Sequence, residues 1–143
     1  MSVNSMTLAI LKPDTVAAGN AGRVLAHLEA QGFVVRGLRV LRLTESQAQA
    51  FYAVHRERPF FRSLVAFMTE GPVIPIALER PTAVAHLREC MGATDVAKAA
   101  EGTVRKLFGT SIERNAIHGS DSDENAATEL GFFFSHADLV AAR

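Results

Sequence analysis

Thiol chemistry is nearly absent from this chain. Cys90 is its only cysteine, which excludes an intramolecular disulfide and a multi-thiolate metal centre and leaves a buried structural thiol as the expectation. Net charge is absent as well: fifteen basic residues balance fifteen acidic ones, so no bulk positive field draws the protein to nucleic acid or to an anionic membrane. No apolar run reaches the length that spans a bilayer, and Met1 to Met6 lacks the charged and apolar regions of a signal peptide. A soluble, cytoplasmic protein with no membrane partner is therefore expected. His27, His55, His86, His118 and His136 never pair at i, i+3 or i, i+4, and none lies in an HExxH run, which leaves a histidine-built metal site without support. Neither a P-loop run, GxxxxGK followed by Ser or Thr, nor a GxGxxG run occurs. If nucleotide phosphates bind here, side chains must hold them.

What is present fits one domain spanning residues 1–143, long enough to bury a sizeable core, with 48% hydrophobic residues arguing against disorder. Thr7 to Leu11 is a β-prone run ending at Lys12 and Pro13, where proline stops the ladder; Lys12 thus sits at a strand end, either near a ligand or simply solvated. Asn20 can cap a helix with Ala21, Val24, Leu25 and Leu28 on one face and Gly32 as its stop. Phe33 to Leu43 reads as a strand with one wetter face or at a sheet edge, its Arg36, Arg39 and Arg42 solvated. Thr44 and Gln47 form a capping-box pair opening a helix through Ala48, Phe51 and Tyr52. Phe60, Phe61, Leu64, Val65 and Met68 recur at helical spacing. Val73 to Leu78 reads as a third strand, which Pro75 should force to an edge or a bulge. Pro81 suits a first helical position ahead of Ala83, Val84, Leu87 and Met91, with Arg88 beside them. Thr94 with Asp95, and Gly102 with Thr103, open two short helical turns, and Phe132 to Phe134 reads as core. The alternation of strands and helices predicts an α+β, ferredoxin-like split βαβ fold, a four-stranded antiparallel sheet with helices packed on one side.

Chemistry concentrates at Asn115 to Ser122. A β-prone run, Asn115 to His118, delivers one histidine to a glycine-hinged polar turn, and imidazole can exchange a proton or a phosphoryl group near neutral pH. On spacing alone, a solvated loop histidine is the commoner outcome. Ser122, however, can cap a helix running through Asp123 to Glu129, so a carboxylate can return toward the imidazole and hold it.

With these residues in view, the chain resembles nucleoside diphosphate kinases, whose signature is an Asn, any residue, hydrophobic, His, Gly, Ser, Asp run. The similarity extends through Leu8 to Asp14, Phe51 to Ala53, Arg58 to Phe61, Met91 to Thr94 and Gly102 to Arg105. It implies γ-phosphoryl exchange between nucleoside triphosphates and diphosphates (ATP, GTP and others) by a ping-pong route through a phosphohistidine at His118. Magnesium (Mg2+) would arrive on the nucleotide phosphates, with no protein ligand of its own. Lys12, Tyr52 and Asn115 match nucleotide-contacting positions at the catalytic centre, with Lys12 and Asn115 reaching the sugar hydroxyl side. Arg88 and Arg105 match phosphate contacts, and Thr94 a hydroxyl contact. Phe60 matches a residue that stacks on the base, with Ile112 opposite, which implies broad base specificity. Glu129, with Ser120, matches the group that orients the imidazole.

Three departures mark the chain: Pro75 within a strand, Val96 in place of a common proline, and Lys106 with Leu107 after Arg105. The resemblance also implies a homo-oligomer built on a dimer. An arginine-bearing edge at Phe33 to Leu43 can pair across a twofold axis. Valine lacks the fixed φ of proline, and the loop from Ala93 to Asn115 is thereby altered, which favours a tetramer over a hexamer. A nucleotide-binding module without turnover and a histidine phosphocarrier remain the competing functions. The joint presence of Lys12, Arg88, Arg105, Asn115 and Glu129 favours turnover.

Overall fold

The strand Met6–Leu11 (β1) lies at the heart of a computed structural model that describes residues 5–142. Of the reading that Met1 to Met6 is not a leader, residues 1–4 lie outside the described residues. After β1 come the helices Pro13–Ala17 (α1) and Ala21–Ala30 (α2), the strand Val34–Leu38 (β2), and the helices Glu45–Phe51 (α3) and Phe61–Met68 (α4). Then follow Ile74–Glu79 (β3), Ala83–Met91 (α5), Val104–Phe108 (α6), Ile117–Gly119 (β4), Asp123–Phe133 (α7) and His136–Ala141 (α8). The strands form one sheet in the order β2-β3-β1-β4, with every neighbour antiparallel. This is the ferredoxin-like arrangement read from the order of elements.

Helices cover both faces of that sheet, which corrects the expectation of one. Ala9 and Leu11 of β1 enter a core with Val24 and Leu28 of α2 and Leu87 and Met91 of α5. Leu8 and Ile10, pointing the other way, enter a second core with Ala48 of α3, Leu64 and Met68 of α4, and Leu130 and Phe133 of α7. The physical reason is visible in β1 itself: successive rather than alternate positions are apolar, so each face must be removed from water. Each large aliphatic side chain so buried contributes about 1.5 to 3 kcal/mol.

β3 is a central strand, not the edge that Pro75 suggested. Arg39 N donates to the Pro75 carbonyl at 3.1 Å, so the proline nitrogen also faces the β2 side, and one return bond is all that the ladder loses. The next pair, Leu41 and Val73, exchanges both bonds, at 3.1 and 2.8 Å. The bulge lies not at Pro75 but on its neighbour, between Val35 and Gly37. β2 is indeed the edge, although shorter than the stretch Phe33 to Leu43. Its arginines are not simply solvated: Arg36 Nε donates to Glu79 Oε1 at 2.8 Å, Arg39 NH1 to the Phe133 carbonyl at 2.8 Å, and Arg42 to the carbonyls of Thr69 and Glu70. Long side chains on an edge find acceptors that the strand periodicity does not reveal.

Asn20 stands at the N-cap of α2 but makes no side-chain cap bond; its Oδ1 accepts from Arg23 NH1 at 3.1 Å instead. Thr44 and Gln47 complete a reciprocal capping box, and Ser122 accepts from Asn125 N at the start of α7. Pro81 sits one residue outside the cap of α5, which is Thr82 in a left-handed conformation, rather than at its first turn. Of the aromatic triplet, Phe133 and Phe134 are buried, but Phe132 is 40% exposed because the end of α7 turns it outward. Cys90 is a free, buried thiol whose pKa burial pushes up.

Candidate active site

β4 is displaced from the stretch Asn115 to His118 because Ala116 adopts φ 75° and cannot continue a strand. Ile117 N donates to the Asn115 carbonyl at 2.9 Å. An i to i+2 bond around a residue of positive φ is a γ-turn, a conformation that is strained for any residue with a Cβ. After it the chain pairs with β1, His118 opposite Ile10. Directly opposed residues share a face, so the imidazole points toward α3 and α7, on the side that Ile10 faces.

Helix α7 brings the carboxylate there. Its buried stripe is Ala126, Leu130 and Phe133, and Glu129 flanks that stripe within two turns of the Ser122 cap. His118 Nε2 lies 2.8 Å from Glu129 Oε1, and Ser120 Oγ donates to the same oxygen at 2.8 Å. Two rings flank the imidazole edge-on: Phe51 at 5.4 Å and Tyr52 at 5.9 Å between centroids. The Tyr52 hydroxyl is buried without a hydrogen-bond partner among the described residues, and burial, reinforced by the charge of Glu129, pushes its pKa up.

Around this centre the strand end after β1 meets the loop before β4. Lys12 Nζ donates to Asn115 Oδ1 at 2.9 Å, and the Asn115 amide donates to the carbonyls of Ile112 at 2.8 Å and Thr94 at 3.3 Å. Burial lowers the Lys12 pKa to about 8, and the neighbouring charge of Arg105 adds to the effect. Arg105 donates from NH1 to the Gly92 carbonyl and from NH2 to that of Ile117, at 3.1 and 2.8 Å, while its Nε is buried without a partner among the described residues. Burial first, and then the charge of Arg88, lowers Arg105 to about 10. Arg88 NH1 reaches the Gly119 carbonyl at 3.4 Å, a long bond that leaves its guanidinium available. Two of the expected residues leave their side chains at the surface: Phe60, 47% exposed and 5.4 Å from the ring of His55, and Ile112, 61% exposed, which joins the network only through its carbonyl.

Lys12, Tyr52, Arg88, Arg105, Asn115, His118, Ser120 and Glu129 are thus linked by bonds or ring contacts to one another or to the strand that carries His118. The sequence assigns no role to Phe51, Asp14 or Thr15, although the first two lie within the stretches of family similarity. Asp14 Oδ2 accepts from Ala116 N at 3.1 Å, and Thr15 Oγ1 donates to the Ala116 carbonyl at 2.9 Å. No pattern around residue 14 announces a turn a hundred positions away. For Phe51 a signal existed, since it adjoins Tyr52, but an aromatic in a helical stripe reads as core.

Such a centre can hold one imidazole in a fixed tautomer among fixed cations, the requirement for nucleophilic attack on a phosphoryl group. The family model described as nucleoside diphosphate kinase matches residues 5–139. The chain is 54% identical over 134 residues to the nucleoside diphosphate kinase of Chlorobium luteolum, covering 94% of this chain and 96% of that one. With that of Geotalea uraniireducens it shares 51% over 134 residues, covering 94% and 98%. Among solved structures, the Aquifex aeolicus nucleoside diphosphate kinase superposes with a TM-score of 0.91 at 43% identity, covering 94% of this chain and 97% of that one. A halophilic nucleoside diphosphate kinase from Halobacterium salinarum, in complex with CDP, gives 0.90 at 36%, covering 94% and 90%.

Proposed function

Since this chain belongs to the nucleoside diphosphate kinase family, and so transfers phosphoryl groups from nucleoside triphosphates to nucleoside diphosphates, we propose that His118 is the residue that carries the group. One observation supports it above the rest: Nε2 is engaged by Glu129 at 2.8 Å. With Nε2 donating to the carboxylate, Nδ1 keeps its lone pair for the γ-phosphorus. The N–P bond forms as the bond from that phosphorus to the bridging oxygen of the donor breaks, and the diphosphate leaves with the electron pair. A second diphosphate then attacks the phosphohistidine with a terminal oxygen, and the N–P bond breaks to restore the imidazole. Glu129 offsets the positive charge that the ring acquires, and Ser120 keeps the carboxylate turned toward it.

Lys12, Arg88 and Arg105 supply positive charge for the phosphates, Asn115 holds Lys12 in place, and the Tyr52 hydroxyl and Thr94 are further polar contacts. Exposed Phe60 and Ile112 are suited to take a base between them, and stacking hardly distinguishes bases, which accounts for a broad substrate range. The CDP bound by the halophilic relative is a ligand of that class. Magnesium would arrive on the nucleotide phosphates and would neutralise part of their charge during the transfer. Among the described residues no group of three His, Cys, Asp or Glu side chains could hold a metal ion, and the Glu129 carboxylate is already bonded. This donor set fits an ion that arrives on the nucleotide, as magnesium commonly does.

The same reading makes residues 1–143 a single domain and the protein cytoplasmic, resting on its lone thiol and its nucleotide substrates; among the described residues no helix is long and apolar enough to cross a membrane. It also makes the protein a homo-oligomer. Val34, Leu38 and Val40 leave apolar surface exposed along the β2 edge, which supports a dimer formed there. The altered loop after Ala93 favours tetramers over hexamers. Labelled ATP alone should mark the protein, a diphosphate should remove the label as a triphosphate, and His118→Ala should never acquire it. An Ala variant that labels and turns over normally would refute the assignment.

A further inference from the structure

The segment directly after β1 grips the γ-turn before β4 at four points. Lys12 Nζ donates to Asn115 Oδ1, and Lys12 N donates to the Ala116 carbonyl at 2.9 Å. Thr15 Oγ1 donates to that same carbonyl at 2.9 Å, and Asp14 Oδ2 accepts from Ala116 N at 3.1 Å. Three of the four bonds fall on the backbone of one residue, Ala116, which is fully buried and carries φ 75°. Alanine does not choose that conformation, because its Cβ crowds the backbone there. Something must hold it, and the bonds from residues 12, 14 and 15 are what surrounds it.

Among them Asp14 is singular. Among the described residues it is the only acceptor on the Ala116 N–H, whereas the carbonyl has two donors, so none of them covers for its loss. Its second oxygen, Oδ1, is buried with no hydrogen-bond partner among the described residues. A half-buried carboxylate with one oxygen bare is an unfavourable arrangement unless the bond made by the other serves a purpose. Ala116 is two residues from His118 and adjoins Asn115, so the turn fixes the direction from which β4 presents the imidazole and the point at which Asn115 meets Lys12.

We propose that Asp14 is a positioning residue for phosphoryl transfer: its carboxylate holds the Ala116 N–H, keeps the γ-turn in its left-handed form, and so aims His118 at the γ-phosphorus. Thr15 assists from the carbonyl side. Asp14 does not touch the imidazole. The inference rests on His118 being the nucleophile, and the test separates the two.

Single-turnover phosphorylation by labelled ATP is measured in mildly acidic buffer, where Lys12 keeps its charge with or without the carboxylate nearby. Asp14→Ala should slow phosphoenzyme formation at saturating ATP by about 10- to 100-fold, the scale of an ångström's misplacement. Asp14→Asn, which retains an acceptor oxygen for the N–H, should stay close to the parent. Adding Ala116→Gly to Asp14→Ala should recover most of the lost rate, because glycine adopts positive φ without help. A merely structural role would not be repaired by removing a methyl group from the turn, and melting temperatures of all variants check that each is folded. Equal rates for Asp14→Ala and the parent, or a double variant as slow as Asp14→Ala, would overturn the proposal. If His118→Ala itself acquires label, the nucleophile assignment fails instead, whatever Asp14 does.

Discussion

Glu129 Oε1 stands 2.8 Å from His118 Nε2, and the two side chains reach each other from different elements, one from the end strand of the sheet and one from the helix that follows it. Removing the carboxylate should leave the imidazole free to rotate and to expose the wrong nitrogen. Glu129→Ala is expected to lower kcat about 10- to 100-fold, as loss of such orienting partners does elsewhere, with KM nearly unchanged. Ser120→Ala, which deletes one charge-assisted bond to that carboxylate but leaves its contact with the imidazole in place, should cost less, roughly tenfold. Steady-state exchange from ATP to dTDP measures both, and a larger loss from Ser120 than from Glu129 would reverse the roles.

Lys12 sets an alkaline limit. Its pKa is lowered from 10.5 to about 8, chiefly by burial, so between those values the unfolded chain holds more protons than the folded one. Its effect on stability is a penalty, complete below about pH 8 and relieved as pH rises toward 10.5. Activity moves the opposite way, since the ammonium that meets phosphate is lost above the folded pKa. The profile of kcat/KM should fall near pH 8, and that of kcat at higher pH, because bound phosphate favours the charged form. Lys12→Gln should abolish this limb, and a limb unchanged in that variant would assign it to another group.

The two arginines should part company. Arg105 already spends two of its nitrogens on the carbonyls of Gly92 and Ile117, so Arg105→Ala should reduce stability by about 1.5 to 3 kcal/mol as well as activity. Arg88 makes one long bond, and Arg88→Ala should lower activity while shifting stability by no more than about 0.5 kcal/mol. Thermal melts beside nucleotide titrations distinguish them, and equal losses of stability would contradict the geometry.

Assembly is tested at the β2 edge. Val40, 64% exposed, should be replaceable by lysine without unfolding a monomer, yet Val40→Lys together with Leu38→Lys should dissociate a dimer formed along that strand. Light scattering reads the outcome. A hexamer mass for the parent would overturn the preference for a tetramer, and an active monomer would overturn the dimer as well.

How much of this the sequence disclosed depends on the range of the interaction. Caps were legible because donor and acceptor lie three residues apart, as in Thr44 with Gln47. The run around His118 was legible because one short element carries most of it. What could not be read is what depends on distant partners: the second helical layer over β1, the acceptors of Arg36 and Arg39, and the left-handed Ala116, which no glycine announces. Pro75 misled for a related reason. A proline forbids one bond, but which neighbour would have received it is a property of register, not of composition.

That single missing bond has a kinetic consequence for the native state. β2 is attached to the sheet only through β3, by a short ladder interrupted by a bulge and by Pro75, whereas β1 is paired on both sides. Amide protons of β2 should therefore exchange with solvent through a local opening well before those of β1, whose release requires the whole molecule to unfold. Arg39, which holds the last carbonyl of α7, would travel with the opening strand, so the helix bearing Glu129 loses a tether each time the edge lifts. A neighbouring subunit laid along that edge would slow the opening and, with it, the fraying of the helix that steadies the imidazole.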